Sequence, residues 1–157
     1  GYQSAIIYIS IYVIMNIGAF SCLYLLKKDG QYKEGISDLS GISKKHPILA
    51  ISLLIILFSL AGIPPLGGFF AKFYVFVSVL EEQMYALAII GLLTTVMSAF
   101  YYLKIIKTIY FDDSAITFDL TKNKKAQISI FASCIFLVTF FLYPSIFNNM
   151  VTALFVS

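Results

Sequence analysis

One residue could do chemistry simply because of where it lies. Lys72 is the single charged residue inside the long apolar runs of this 157-residue chain. An amine can take up a proton and pass it on, so a lysine inside an apolar segment is a relay candidate. Lys72 stands one turn beyond Gly62-Ile63-Pro64-Pro65-Leu66-Gly67-Gly68 and nine residues before Glu81, or about 13 Å along a helix. If the run crosses a bilayer, that depth is near the midplane. Even a lenient insertion scale charges about 2.5–3.5 kcal/mol for lysine there. Snorkelling is hard from such a depth, because the side chain reaches only about 6 Å. A sequence keeps such a charge where a buried partner or a proton path uses it. The plainer alternative is an ammonium paired with an acid on another helix and doing nothing further.

Other polar groups could serve the same path. Thr94, Ser98, Tyr101 and Tyr102 fall at i, i+4, i+7 and i+8, hence on one helix face. That face could hydrogen-bond a water chain, or it could be ordinary hydroxyl glue between helices. Lys104 and Lys107 neighbour tyrosines and suit snorkelling anchors at an interface, with Lys104 the better placed to face a channel. Asn16 sits beside Gly18 and Ala19, where helix packing is the simpler role. His46, just before Pro47, could titrate near neutrality or merely sit at headgroup level. Cys22 and Cys134 lie in apolar runs without CxxC spacing, so neither a disulfide nor a metal is expected.

The elements that must position these groups follow from composition. Hydrophobic residues make up 60% of the chain and charged residues 12%, about half the share in a soluble domain. Membrane spans explain this directly. The uncharged runs are Gly1–Leu26, Pro47–Leu80 (interrupted only by Lys72), Gln83–Leu103 and Ala126–Tyr143. Allowing for overhang, the expected spans are about 2–26, 47–80, 83–110 and 126–144, with a weakly apolar tail after Pro144. The second run is about 50 Å long as a straight helix. That is too long for one upright span and too short for two. Pro64 and Pro65 remove backbone donors, and Gly62, Gly67 and Gly68 permit conformations other residues avoid. The expectation is one span made of two half-helices, broken at 62–68. Unwound backbone at that depth is tolerated where it is buried or lines a water-filled cavity, and transporters place their ion sites at such breaks.

Lysines set the orientation. The stretches Lys27–His46 and Lys104–Lys125 carry five each, whereas the connection at Glu81–Gln83 and both chain ends carry none. Four spans put both lysine-bearing stretches on one side, which the positive-inside rule makes cytoplasmic or its equivalent. The fold class is therefore all-α: a polytopic transmembrane bundle of four spans, the second discontinuous. The stretch Ile36–Lys45 is expected to hold one interfacial helical turn. The chain opens at Gly1 directly in an apolar run, so it reads as the C-terminal piece of a longer subunit. Its basic stretches lack aromatic stacking platforms, which argues against nucleic acid.

The motifs then resemble a family. Ser37-Asp38-Leu39-Ser40-Gly41 with Lys44-Lys45-His46-Pro47, Ser59-Leu60-Ala61-Gly62-Ile63-Pro64-Pro65, Gly68-Phe69-Phe70-Ala71-Lys72-Phe73-Tyr74 and Ser98-Ala99-Phe100-Tyr101-Tyr102-Leu103-Lys104 look like the subunit N family of the proton-pumping NADH:quinone oxidoreductase, respiratory complex I. The stretch Met15-Asn16-Ile17-Gly18-Ala19-Phe20 fits the preceding helix. The resemblance implies an antiporter-like subunit with inverted repeats, each holding a discontinuous helix, and it assigns Lys72 to the central lysine of the second repeat. It implies other membrane-arm subunits and the lipid bilayer as partners, and the bacterial cell inner membrane (or the mitochondrial inner membrane) as location. It implies no cofactor in this chain; NADH, flavin, iron–sulfur clusters and quinone would belong to partner subunits. Subunits of cation/proton antiporters and membrane-bound hydrogenases share the Gly-Ile-Pro-Pro…Gly-Phe…Lys pattern and are the alternative parents.

Overall fold

The computed structural model describes residues 2–25, 27–28, 31–32, 36–63, 66–113, 123–140 and 144–156. Among the described residues seven α-helices dominate: α1 (Tyr2–Leu25), α2 (Ile42–Lys45), α3 (Pro47–Ala61), α4 (Gly67–Glu81), α5 (Tyr85–Phe111), α6 (Lys124–Thr139) and α7 (Pro144–Val156). Two short strands, β1 (Lys27–Lys28) and β2 (Gln31–Tyr32), pair antiparallel between α1 and a 3-10 turn at Ile36–Leu39. Two departures from the sequence reading stand out. Segment 36–45 holds two turns, the 3-10 turn and α2, and the tail after Pro144 is a helix. Pro144 suits the first helical position of α7, where its missing N–H costs nothing.

α1 and α5 are each long and apolar enough to cross a membrane. α3 and α4 have 15 residues each, about 22 Å, short of a bilayer core of about 30 Å. The turn between α4 and α5 is tight, and Gln83 adopts a φ of 57° there. Asn123 caps α6 by accepting from the backbone N–H groups of Lys125 (3.0 Å) and Ala126 (3.2 Å).

The order of contacts along α1 places its neighbours. Its buried residues Ile7, Ile11, Met15, Gly18, Cys22 and Leu25 recur every three or four positions, one stripe of the helix. A Cβ on Gly18 would lie 2.9 Å from both Ile56 Cδ1 of α3 and Ser133 Cβ of α6. Ser59 of α3 donates its hydroxyl to Met15 Sδ at 3.1 Å. A Cβ on Gly67 of α4 would lie 3.7 Å from Ile11 Cγ2, and Ser4 hydrogen-bonds Ser78 of α4 at 2.7 Å. Positions 18, 15, 11 and 4 thus meet positions 56, 59, 67 and 78. α3 and α4 therefore run one after the other, antiparallel along the same helix.

The segment before α3 docks on the far end of α5. Gly41 N–H donates to the Thr108 carbonyl at 3.0 Å, filling one of the acceptors that a helix end leaves open. Lys44 and Asp113 approach to 3.7 Å, but both are exposed and such a pair contributes little. The first two-thirds of α5 present a broad exposed apolar face, including Ile89, Leu92, Leu93, Val96 and Met97.

Candidate functional site

The site grows from the end of α3. Gly62 takes a left-handed conformation (φ 79°, ψ 30°), its N–H reaches the Ser59 carbonyl at 3.0 Å, and Ile63 N–H reaches the Phe58 carbonyl at 3.1 Å. This is a Schellman end, and it satisfies two of the last four carbonyls. The Leu60 carbonyl would normally accept from residue 64. Residue 64 is proline, which has no N–H to give. Lys72 supplies the missing donor, with Nζ 2.8 Å from the Leu60 oxygen. The partial negative charge at a helix C-terminus favours a cation there. The same residues that stop α3 therefore create the seat of the ammonium. Pro64 and Pro65 themselves lie outside the described residues.

A second bond fixes α4 against α3. Gly68 N–H, in the first turn of α4, donates to Ser59 Oγ at 2.8 Å. Ser59 is fully buried and has its own proton on Met15 Sδ, so its oxygen is free to accept. Only glycine fits at 68, since a Cβ would lie 2.5 Å from the Ser59 carbonyl carbon and closer still to its oxygen.

Half-buried Lys72 opens onto a cavity of about 240 Å³. Tyr8, Tyr12 and Met15 of α1, Leu60 of α3, Gly68 and Ala71 of α4, and Thr94, Thr95, Ser98 and Tyr102 of α5 complete its lining. At about 30 Å³ per water, it has room for a short cluster of waters. Thr94 and Thr95 both donate their hydroxyl protons to the Gly91 carbonyl, at 2.9 and 2.8 Å. Their oxygens thus offer acceptor lone pairs to the cavity, across from an ammonium that has only donors.

The structure brings Lys72, Thr94 and Ser98 together with Gly68 and leaves two other candidates out. Tyr102 lines the cavity and Tyr101 does not; Tyr101 is half exposed and packs edge-on against Tyr102 at 5.7 Å. Lys104, half a turn beyond Tyr102, is exposed and lies outside the lining. Gly62 touches the stem of Lys72, because a Cβ there would meet Lys72 Cδ at 3.2 Å. Gly67 packs against Leu137 and Ile11 and marks the start of α4. Asn16 bonds its own helix, at the Tyr12 carbonyl, and helps line an apolar groove of about 510 Å³ on the outer side of α1. His46 Nε2 is buried without a hydrogen-bond partner among the described residues.

Sequence reasoning missed Ser59, the Leu60 carbonyl and the tyrosines of α1. The signals were there in part. A proline at 64 implies an unpaired carbonyl at 60, and Tyr8, Tyr12 and Met15 share one helix face at i, i+4 and i+7.

A lysine held at a helix break beside a polar cavity, in a bundle of apolar helices, is the arrangement that ion-carrying membrane proteins use at their sites. Comparison with known proteins makes this specific. Residues 1–98 match the family described as NADH:quinone oxidoreductase/Mrp antiporter, transmembrane, and the chain belongs to that family. NADH-quinone oxidoreductase subunit N of Pelagibacter ubique is 57% identical over 145 residues, covering 92% of this chain and 31% of its own length. The subunit N of Rhodospirillum rubrum is 40% identical over 146 residues, covering 93% and 30%. The chain thus spans about a third of the length of the curated relatives it matches. A structure described as respiratory complex I from Thermus thermophilus with bound aureothin shares the fold, with a TM-score of 0.79 at 24% identity over 94% of this chain and 34% of that one. The protein is a multi-pass protein of the cell inner membrane.

Proposed function

We propose that this chain is the C-terminal part of a membrane-arm subunit of NADH:quinone oxidoreductase, and that it takes part in proton translocation coupled to quinone reduction. Lys72 is the relay group. The observation that carries this reading is the ammonium seated on the Leu60 carbonyl at the mouth of the polar cavity. The proton leaves Nζ toward water in that cavity, and Thr94, Thr95 and Ser98 orient the water from α5. Tyr102 replaces Tyr101 in this wall. Lys104 serves at the interface rather than in the cavity. NADH, flavin, iron–sulfur clusters and quinone belong to partner subunits, and this chain is a non-redox translocase part.

The same reading makes α3 and α4 the halves of one discontinuous span. Neither reaches across a bilayer core alone, and their consecutive contacts along α1 support joining them. With α1, α5 and α6 they form four spans, with the lysine-bearing stretches on the cytoplasmic side. Helix-break residues Gly62, Pro64, Pro65, Gly67 and Gly68 then serve the site by exposing the carbonyl that holds Lys72.

The family's description also includes Mrp antiporters, and a cation/proton antiporter subunit is the competing reading. The subunit N relatives favour the oxidoreductase. The experiment is Lys72→Met in the assembled enzyme, with proton uptake measured in sealed membrane vesicles driven by NADH. Assembly should persist and protons moved per NADH oxidised should fall. Full translocation in this variant would reject the relay.

A further inference from the structure

We propose that Ser59 is a positioning residue for Lys72: its hydroxyl clamps the first turn of α4 onto the last turn of α3 and so sets where the ammonium meets the Leu60 carbonyl. This rests on the reading of Lys72 as a proton relay. Ser59 is fully buried, next to Leu60 in sequence, and four residues from the Lys72 turn through its bond to Gly68. It sits at the crossing of three helices. Its proton goes to Met15 Sδ of α1 at 3.1 Å, and its oxygen takes Gly68 N–H of α4 at 2.8 Å. The acceptor (Leu60 O) belongs to α3 and the donor (Lys72 Nζ) to α4, and among the described residues no helix ladder joins those two segments across the break. The registry between acceptor and donor therefore depends on side-chain and end contacts. The Ser59–Gly68 bond links residues nearer in sequence than Leu60 and Lys72, and Gly68 permits it by lacking a Cβ.

A serine that merely filled space would affect folding alone. A clamp affects the proton site itself. Without the hydroxyl, Gly68 N–H loses its acceptor, α4 is free to slide on α3, and Lys72 meets a carbonyl at an altered distance. The remaining titratable groups lining the cavity are Tyr8 and Tyr12 of α1 and Tyr102 of α5, and the Ser59 hydroxyl bonds Met15 and Gly68 rather than any of them. A displaced pH profile that the hydroxyl-retaining Ser59→Thr reverses then reports on the Lys72 site.

The test uses the assembled enzyme in native membrane vesicles. Ser59→Ala, Ser59→Thr and Lys72→Met are compared for NADH-driven proton uptake per assembled complex, across a pH series. Ser59→Ala is expected to assemble, to lose about tenfold in translocation rate and to show a displaced pH profile. Ser59→Thr, which keeps the hydroxyl, is expected to restore the wild-type pH profile in whatever complex assembles. Ser59→Ala with an unchanged pH profile would overturn the proposal, as would its failure to assemble, because both describe a purely structural serine. A Lys72→Met enzyme that pumps normally would instead remove the relay reading on which the proposal stands. The two failures are thus distinguishable.

Discussion

Gly68→Ala is the sharpest probe of how the two helices meet. The added Cβ would lie 2.5 Å from the Ser59 carbonyl carbon and 2.8 Å from Ser59 Oγ. The first of these contacts must open by at least about 1 Å to reach ordinary packing distance, and the Ser59 carbonyl oxygen, closer still, by more. The obstacle is backbone, so no side chain can rotate away from it. A shift of that size also takes Gly68 N–H out of reach of Ser59 Oγ, now 2.8 Å away. Overpacking costs about 1–3 kcal/mol, and a buried donor left without its acceptor costs about 1–3 kcal/mol more. The sum is roughly 2–6 kcal/mol. Thermal denaturation of the detergent-solubilised enzyme, followed by loss of this subunit from the complex, measures it. A melting temperature within error of the wild type would refute the close approach of α3 and α4 at this point.

Two further substitutions address the same break. Gly62→Ala forces a Cβ into a left-handed residue and against Lys72 Cδ, and should destabilise by about 1–2 kcal/mol in the same assay, whereas Gly62→Asn should cost less because asparagine tolerates that conformation. Pro64→Ala restores a backbone N–H that can compete for the Leu60 carbonyl; it should lower NADH-driven proton uptake without lowering thermal stability, and unchanged uptake would show that the carbonyl is not the seat Lys72 needs.

The legible part of this molecule is what backbone chemistry dictates. Prolines at 64 and 65 with glycines at 62, 67 and 68 cannot continue a helix, and the described helices stop at Ala61 and resume at Gly67. The isolation of Lys72 among apolar residues is likewise visible without coordinates. The illegible part is orientation. α1, α3 and α5 are apolar on all sides, so no periodicity says which face packs inward. That is why Tyr8 and Tyr12, unremarkable in the sequence, emerge as cavity walls, and why Tyr102 rather than its neighbour Tyr101 faces Lys72. A difference of one residue turns a helix by about 100°, which separates the two tyrosines. Ser59 was hidden for another reason. A buried serine in an apolar run reads as packing until its partners, Met15 and Gly68, are known. α7 carries two helix signals that are easy to pass over in a tail, a proline at the first helical position and an apolar stripe along one face.

The central claim is that Lys72 exchanges a proton rather than merely holding a charge. Lys72→Arg tests it most directly. Arginine keeps the positive charge and can still donate to the Leu60 carbonyl, but it does not release its proton at physiological pH. The measurement is protons taken up per NADH oxidised in sealed membrane vesicles, normalised to assembled enzyme. Uptake should fall clearly in the arginine variant, to a level comparable to that of Lys72→Met, with assembly retained. Wild-type stoichiometry with arginine at this position would contradict it and leave Lys72 as a fixed charge.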